Sequence, residues 1–424
     1  MRNYLADYDL VAVSANLKET ALNTEQTLDT SMLVEKATVI QLDPRREDNR
    51  DELTGKEEAD TIYDLGFLTG VSLNFGKAQS QHFAFGLAYG LGTVVTSGSG
   101  TGYKHVITPT SSMLLPSFTA AQRFGQTILK RRFASLHVDV LKATFEKDSW
   151  AKLALECKGT GKYTDSMTKE TVAAAYNATS LTLDANAVQG ADAATRLDNV
   201  HSIRVQVPST LEWKDVTFTV VSNATPAVIT ISAPGVAATS TSYEIIYTPA
   251  EAAWCTFPSR VTEGRPLRVT DCVLKMGGKW NGTTYLEGHT ISDEVESIEY
   301  TLNNNMMIEY RIGGSGSYAN YAIRQGRLQT LALNRQMRDF LLQQRMTDNE
   351  YFTVHLKVTG DEYATGESCS VELLFPSCGL LKVPISVNGK ILAEAGDLIV
   401  MQDDTYGSVR AEVINNVATY AATA

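Results

Sequence analysis

Polar and apolar residues alternate with a period of two along much of this chain, the pattern of strands with one buried and one wet face. It is clearest in SIEYTLN, where Ile298, Tyr300 and Leu302 point one way and Ser297, Glu299, Thr301 and Asn303 the other. Runs rich in β-branched or large apolar residues predict further strands over Ser135–Glu146, Trp150–Gly159, Tyr351–Gly360, Ser368–Phe375 and Asp397–Gln402. Most are bounded by Gly, Asp or Pro, which end strands in turns. Helix is predicted over Gln79–Leu91 and over Arg335–Thr347, where Met337, Phe340 and Leu341 fall on one face at helical spacing.

The strand pattern is written twice. GFLTGVSLN (Gly66–Asn74) returns as GRLQTLALN (Gly326–Asn334), a spacing of 326 − 66 = 260 residues. At the same spacing EKATVIQLD (Glu35–Asp43) lies over VESIEYTLN (Val295–Asn303), with Thr38, Ile40 and Leu42 in the apolar places and Ala37, Val39, Gln41 and Asp43 in the polar ones. Register held over roughly forty residues without insertion argues for a duplicated unit. That unit reads strand, long excursion, strand, helix, further strands.

The two excursions differ. Between Leu42 and Tyr63 the first copy is dense in charge and has almost nothing to bury, so it predicts an exposed hairpin tip or loop. The second copy holds NNNMMIEYRIGGSGSYANYA there, polar and Gly-rich, unable to form a core strand throughout. Loops on rigid scaffolds are where partners are met. Between the copies, residues 163–265 are rich in Ala, Thr, Ser and Val and contain IRVQV, VTFTVV, AVITIS and YEIIYT separated by turn residues. This spacing predicts a separate β-rich insert of immunoglobulin-like size. The domain reading is therefore 1–162 for the first module, 163–265 for an exterior insert and 266–424 for the second module.

A length of 424 residues suffices for two or three cores, and 43% hydrophobic with 20% charged residues is ordinary globular composition. No apolar run reaches the roughly 20 residues needed to cross a bilayer, so membrane insertion is not expected. The early sequence MRNYLADYDLVAVSANLKET lacks the continuous apolar stretch of a signal peptide, and the expectation is a protein that stays where it is made. The five cysteines show no CxxC spacing and read as reduced thiols. A net charge of −11 argues against binding nucleic acid by neutralising phosphates.

Enzymatic motifs find no support, and no catalytic residue, cofactor or metal is expected. The six histidines stand singly, without HxxxH spacing or a Cys pair beside them. The run Thr96–His105, TSGSGTGYKH, has glycines and a lysine but no Gly-Lys-Ser/Thr, so it reads as a loop rather than a phosphate cradle. Ser315 lacks the GxSxG elbow of a nucleophile. Asp403 with Asp404, and Glu57 with Glu58, are adjacent and would face opposite ways on a strand, as solvated charges do.

One stretch carries a resemblance. Tyr103–Tyr163 contains His105 and Pro109 of an H-x-F/I-T-P opening, Pro116–Thr119 of a P-S-F/Y-T strand and a basic hairpin at Lys130–Arg132. Val138–Phe145, a V-x-x-L-x-x-x-F strand, and Gly159–Gly161 at the end of the next strand complete it. In this order the elements resemble the tail tube, or major tail, proteins of tailed bacteriophages, and the second copy resembles the other half of such proteins. The resemblance covers all but the insert and roughly the first thirty residues.

The resemblance implies a mainly β protein: two tandem β-sandwich or barrel modules, each with one flanking helix, plus the insert. It implies a structural subunit, not an enzyme, that closes into rings stacked as a hollow conduit for viral DNA. Six modules per ring are typical, so two modules per chain imply trimeric rings, with hexameric rings the alternative. Expected partners are other copies of the chain, tape measure and tail completion proteins, and DNA that passes without specific binding. The expected location is the virion tail, assembled in the host cytoplasm. A lumen of acidic and small polar groups would repel phosphates, and the wet strand face supplies candidates: Gln41, Asp43, Ser297, Glu299, Thr301 and Asn303. Contacts between rings are assigned to Arg45, Arg46, Glu47, Asp48, Arg50, Asp51, Glu52, Lys56, Glu57 and Glu58, whose acidic members would meet Lys130, Arg131 and Arg132. The competing reading is a β-sandwich carbohydrate-binding or adhesion protein.

Overall fold

A computed structural model describes residues 6–36, 38–100, 102–125, 129–250, 256–260, 264–314, 316–364 and 366–423. The chain is mainly β, 53% strand and 8% helix, in several antiparallel sheets with no closed barrel among the described residues. Its α-helices are α1 (Ser80–Leu91), α2 (Ala193–Asp198) and α3 (Leu341–Thr347). Two compact units divide it: Met1–Leu10, Arg123–Arg132 and Thr164–Phe257 form one, and Val11–Gln122, Phe133–Tyr163 and Pro258–Ala424 the other.

The smaller unit has a four-stranded sheet, of Thr168–Ala175, Ser240–Tyr247, Val200–Gln206 and Trp213–Asp215, and a three-stranded one, of Ser180–Thr182, Val228–Ile231 and Phe218–Val221. Leu181, Ile203, Val205, Ile229, Tyr243 and Ile245 are buried in one cluster that draws on both sheets. The buried tyrosines keep partners for their hydroxyls: Tyr243 donates to the Ala175 carbonyl at 2.8 Å and Tyr247 to Glu170 at 2.7 Å.

Ten strands bear on function: β1 (Gln41–Asp48), β2 (Ile62–Phe75), β3 (Lys130–Glu146), β4 (Lys152–Gly159), β5 (Val295–Asn303), β6 (Leu328–Gln336), β7 (Tyr351–Ala364), β8 (Glu367–Lys382), β9 (Ile385–Asn388) and β10 (Ile391–Val400). Hydrogen bonding runs β1·β2·β4·β3·β5·β6·β10 without interruption, and β10 then pairs with both β8 and β9. The alternation Ile298, Tyr300, Leu302 in β5 and Leu331, Leu333 in β6 places those side chains in the core.

Register repeats along this run. Gln41↔Gly70, Leu42↔Thr69 and Asp43↔Leu68 pair in β1·β2, and Thr301↔Thr330, Leu302↔Gln329 and Asn303↔Leu328 in β5·β6, each residue 260 beyond its counterpart. Val71↔Cys157 and Ser72↔Glu156 correspond to Leu331↔Leu398 and Ala332↔Asp397, with 398 − 157 = 241. The next strands even share a bulge: Val138↔Cys157 then Val140↔Glu156, against Leu380↔Leu398 then Lys382↔Asp397, with 380 − 138 = 242. Beyond it Ala143↔Leu153 corresponds to Ile385↔Glu394, so β8 and β9 together occupy the place of the single strand β3.

Helix α1 follows β2 as its sequence predicts, but it does not flank a sheet: all twelve residues are buried. A helix apolar on every side belongs inside. Gly86 and Gly90 let the sheet approach, since a methyl group there would lie 2.9 Å from Leu155 and 3.2 Å from Leu302. The second predicted helix is corrected. Arg335 and Gln336 end β6, and α3 begins only at Leu341. Arg335 continues the inward alternation of Leu331 and Leu333 because buried Glu394 on β10 receives its guanidinium. Asp339 accepts the Leu341 N–H at 2.9 Å where the helix starts. Leu342 is its buried side chain, while Phe340 is exposed.

Strand boundaries also move: β3 begins at Lys130, before the expected Ser135, and β8 runs to Lys382, past the expected Phe375. Residues 38–40 leave the ladder that 298–300 keep, and β10 begins at Ile391, before the expected Asp397. The 44–62 excursion is a hairpin extension of β1·β2 with an ordered tip, and the second excursion folds as a short hairpin of Met306–Glu309 with Tyr321–Arg324.

Candidate assembly surface

The lumen candidates lie together on the face opposite the core. Ser297, Glu299, Thr301 and Asn303 are partly exposed on β5, and Gln41 and Asp43 are exposed on β1. Their neighbours across the strands are small or charged: Thr301 lies between Lys142 and Thr330, Glu299 between Thr144 and Ala332. Lysines stand on this face as well, each beside a carboxylate. Lys142 binds Glu299 at 2.9 Å, Lys152 binds Glu146 at 3.3 Å, Lys158 binds Asp139 at 2.8 Å and Lys382 binds Asp397 at 2.9 Å. Cross-strand spacing brings opposite charges into reach, and the result is a wet face of small polar groups and locally neutralised lysines. These lysines were missed because alternation marks a face without assigning its cross-strand partners.

The charged hairpin is organised from within. Buried Asn49 ties its tip, donating to Asp60 at 2.6 Å and accepting from the Asp60 and Thr61 N–H groups. Lys56 pairs with Asp60 and holds that carboxyl below its ordinary range. Arg50 meets Asp48 at 3.2 Å, Arg46 meets Asp64 at 3.8 Å, and Tyr63 donates to Glu52 at 2.7 Å. Arg45 lies over the Tyr310 ring, 5.5 Å from its centroid. Glu47, Asp51, Glu57 and Glu58 are exposed on the same hairpin. Lys130, Arg131 and Arg132 belong to the smaller unit, where Arg131 already pairs with Asp165 and Lys130 lies 5.9 Å from the Phe257 ring centroid.

An internal junction joins the two sets where β5 pairs with β3. Pairing runs from Ser297↔Glu146 to Asn303↔Val140, and on the core side Ala143 and Phe145 of β3 are 1% and 2% exposed. At the corresponding positions on β9, Ile385 is 48% and Val387 70% exposed.

Burial pushes the thiols of Cys157, Cys272 and Cys378 up, Cys272 to about 12, and takes His82 down to about 3 and His137 to about 4. His82 accepts the Gln79 N–H at the start of α1, and His105 bonds Thr96 and the Val417 carbonyl at 2.9 Å each. The Thr96–His105 run forms the turn of a hairpin, and Asp403 caps a turn by accepting from Thr405 and Tyr406. Ser315 lies outside the described residues. Among the described residues no cluster of His, Cys, Asp and Glu could hold a metal, and no helix is long and apolar enough to cross a membrane.

No protein-family model matches this chain, and no curated protein matches it.

Proposed function

We propose that this chain is a structural subunit of a bacteriophage tail tube, which closes into rings that stack as a hollow conduit for viral DNA. The observation that carries the reading is the repeated register: two four-strand sets with the same pairings and the same bulge, joined edge to edge in one sheet. A unit that already pairs with a second version of itself is suited to pairing with further copies. Two tandem modules in each of three chains would give a ring with six similar wall segments. The insert would decorate the exterior.

The wet face of β1–β6 would line the bore. Its paired lysines release no counterions to a passing phosphate backbone, and its small polar groups offer no stacking surface, so DNA slides without being held. The charged hairpin would set the register of stacked rings, and tape measure and tail completion proteins would meet the tube ends. Negative-stain microscopy of the purified chain tests the assembly: threefold rings or hollow filaments are expected, and dispersed monomers at high concentration would overturn it. Glu299→Lys tests the lining, since it frees Lys142 and adds a second cation. Genome delivery is expected to slow, and unaffected delivery would remove this face from the bore.

A further inference from the structure

The internal junction is a template for an external one. On β5 the even-numbered residues turn their backbone groups toward β3, as the Asn304 N–H bond to the Asp139 carbonyl at 2.8 Å shows. The partners of Ile298, Tyr300 and Leu302 are then Phe145, Ala143 and Leu141. By the repeat, Val387, Ile385 and Val383 occupy the places of those three β3 residues. The Ala395 N–H bonds the Pro384 carbonyl at 3.1 Å, so Pro384 faces β10 and Val383, Ile385 and Val387 turn their backbone groups the other way. No strand pairs with that side among the described residues. Gln343 of α3 donates to the carbonyl of buried Val383 at 2.7 Å, while Ile385 and Val387 are exposed, and an edge held by a side chain rather than a strand invites a strand.

The strand that fits is the first-copy version of β5, residues 38–43. Its outward backbone groups are not open in the single chain. Buried Gln122 accepts the Ile40 N–H at 2.9 Å and donates to the Thr38 carbonyl at 3.0 Å. A carboxamide offers the same donor and acceptor as a peptide group, so Gln122 stands where β3 stands at the internal junction.

We propose that Gln122 is a place-holder, displaced when residues 382–388 of a second copy pair antiparallel with residues 38–43. The register carried over from the internal junction puts Lys382 opposite Asp43, Val383 opposite Leu42, Ile385 opposite Ile40 and Val387 opposite Thr38. Three side-chain hydrogen bonds, two of Gln122 and one of Gln343, are exchanged for backbone ones, apolar side chains meet as Leu141 meets Leu302, and a lysine meets an aspartate. Each copy has one edge of each kind, so the contact is head-to-tail and propagates. The inference rests on the self-assembly part of the tube reading, not on DNA passage.

Ser386 and Val39 would form a pair whose backbone groups point away from each other, the closer of the two antiparallel pair types and suited to a disulfide. The experiment mixes Val39→Cys and Ser386→Cys proteins under mild oxidation, with Gln41→Cys and Ser386→Cys as the slipped pair and the unsubstituted chain as background. In-register cross-linking at least ~10-fold above the slipped pair is expected. Gln122→Ala, which vacates the edge, is expected to lower the concentration at which copies associate. Rings or filaments without the 39–386 link, or with the slipped link, overturn this inference and leave the tube reading standing. The 39–386 link in assemblies that are not hollow supports the inference and overturns the tube.

Discussion

The two four-strand sets share a backbone plan and diverge in what they bury. Where β2 places Phe75 opposite Leu153, β6 places Arg335 opposite Glu394, at corresponding positions and equally inaccessible. Where β3 buries Phe145, β9 exposes Val387. Backbone pairing therefore fixes the architecture, and side chains record whether a neighbour is present: core, ion network or open edge. The helix that follows β2, α1, is wholly buried and packs against Leu155 of the first set and Leu302 of the second, whereas the helix that follows β6 is the short α3, beside a guanidinium that also reaches Glu294 at 3.0 Å and Asp339 at 2.7 Å.

The largest expected effect breaks that ion network. Arg335→Phe leaves Glu394 buried without its cation, which costs about 3–5 kcal/mol. Arg335→Phe with Glu394→Leu writes the first set's apolar pair into the second and is expected to recover most of that loss, because apolar replacement of a buried ion pair is often neutral. Chemical denaturation of the three proteins measures it. A double variant no better than the single would show that the two sets are not interchangeable in their cores.

Next comes the burial contrast at the ends of β3 and β9. Phe145 stacks on Phe83 of α1, with ring centroids 5.8 Å apart, so Phe145→Ala is expected to cost about 3–5 kcal/mol. Val387→Ala in the dispersed chain is expected to stay within ~0.5 kcal/mol, as exposed positions do. Equal losses would mean that the two edges are in the same state.

Much of this plan was legible in the residues. Period-two alternation located β5, runs of β-branched and large apolar residues located β4 and β8, and the 260-residue spacing gave a register that the hydrogen bonds repeat at 41–43 and 301–303. What could not be read depended on partners distant in the chain. Arg335 looks like a helix surface residue until Glu394, 59 residues on, makes a strand of it. Residues 38–40 carry the alternation of 298–300 but leave the ladder, and Gln122, 82 residues beyond Ile40, holds their backbone. The lysines that neutralise the wet face come from β3, β4 and β8, and no local pattern announces them.

Acid should act on the second set more than the first. The Leu341 N–H and then Arg335 hold Asp339 below its ordinary 3.8, and Lys147 holds Glu296 below 4.5. Carboxyls lowered in the folded state contribute stability that is present above their unfolded values and lost as pH falls through the folded ones. Asp29 runs the other way: burial raises it, so its contribution is present below 3.8 and lost as pH rises. Melting temperatures are expected to drop below about pH 4, and less steeply for the Arg335→Phe, Glu394→Leu protein, which lacks the guanidinium that Asp339 meets. An unchanged acid limb would separate Asp339 from Arg335.

The smallest effect is expected at the junction itself. Glu299 pairs with Lys142 across β5·β3, and both side chains are substantially exposed. The position 260 residues earlier holds Val39, so Glu299→Val again writes the first copy into the second. Losing an exposed ion pair costs about 0–1 kcal/mol, and valine's strand preference offsets part of it. The net change is expected to stay under ~0.5 kcal/mol and to shrink further at 1 M salt, where screening has already weakened the pair. A loss above ~2 kcal/mol would mean that charge, not backbone pairing and the apolar side beneath it, holds the two sets together. The outer edge, with Pro384 and Val39 in the corresponding places, could not then be expected to close in the same way.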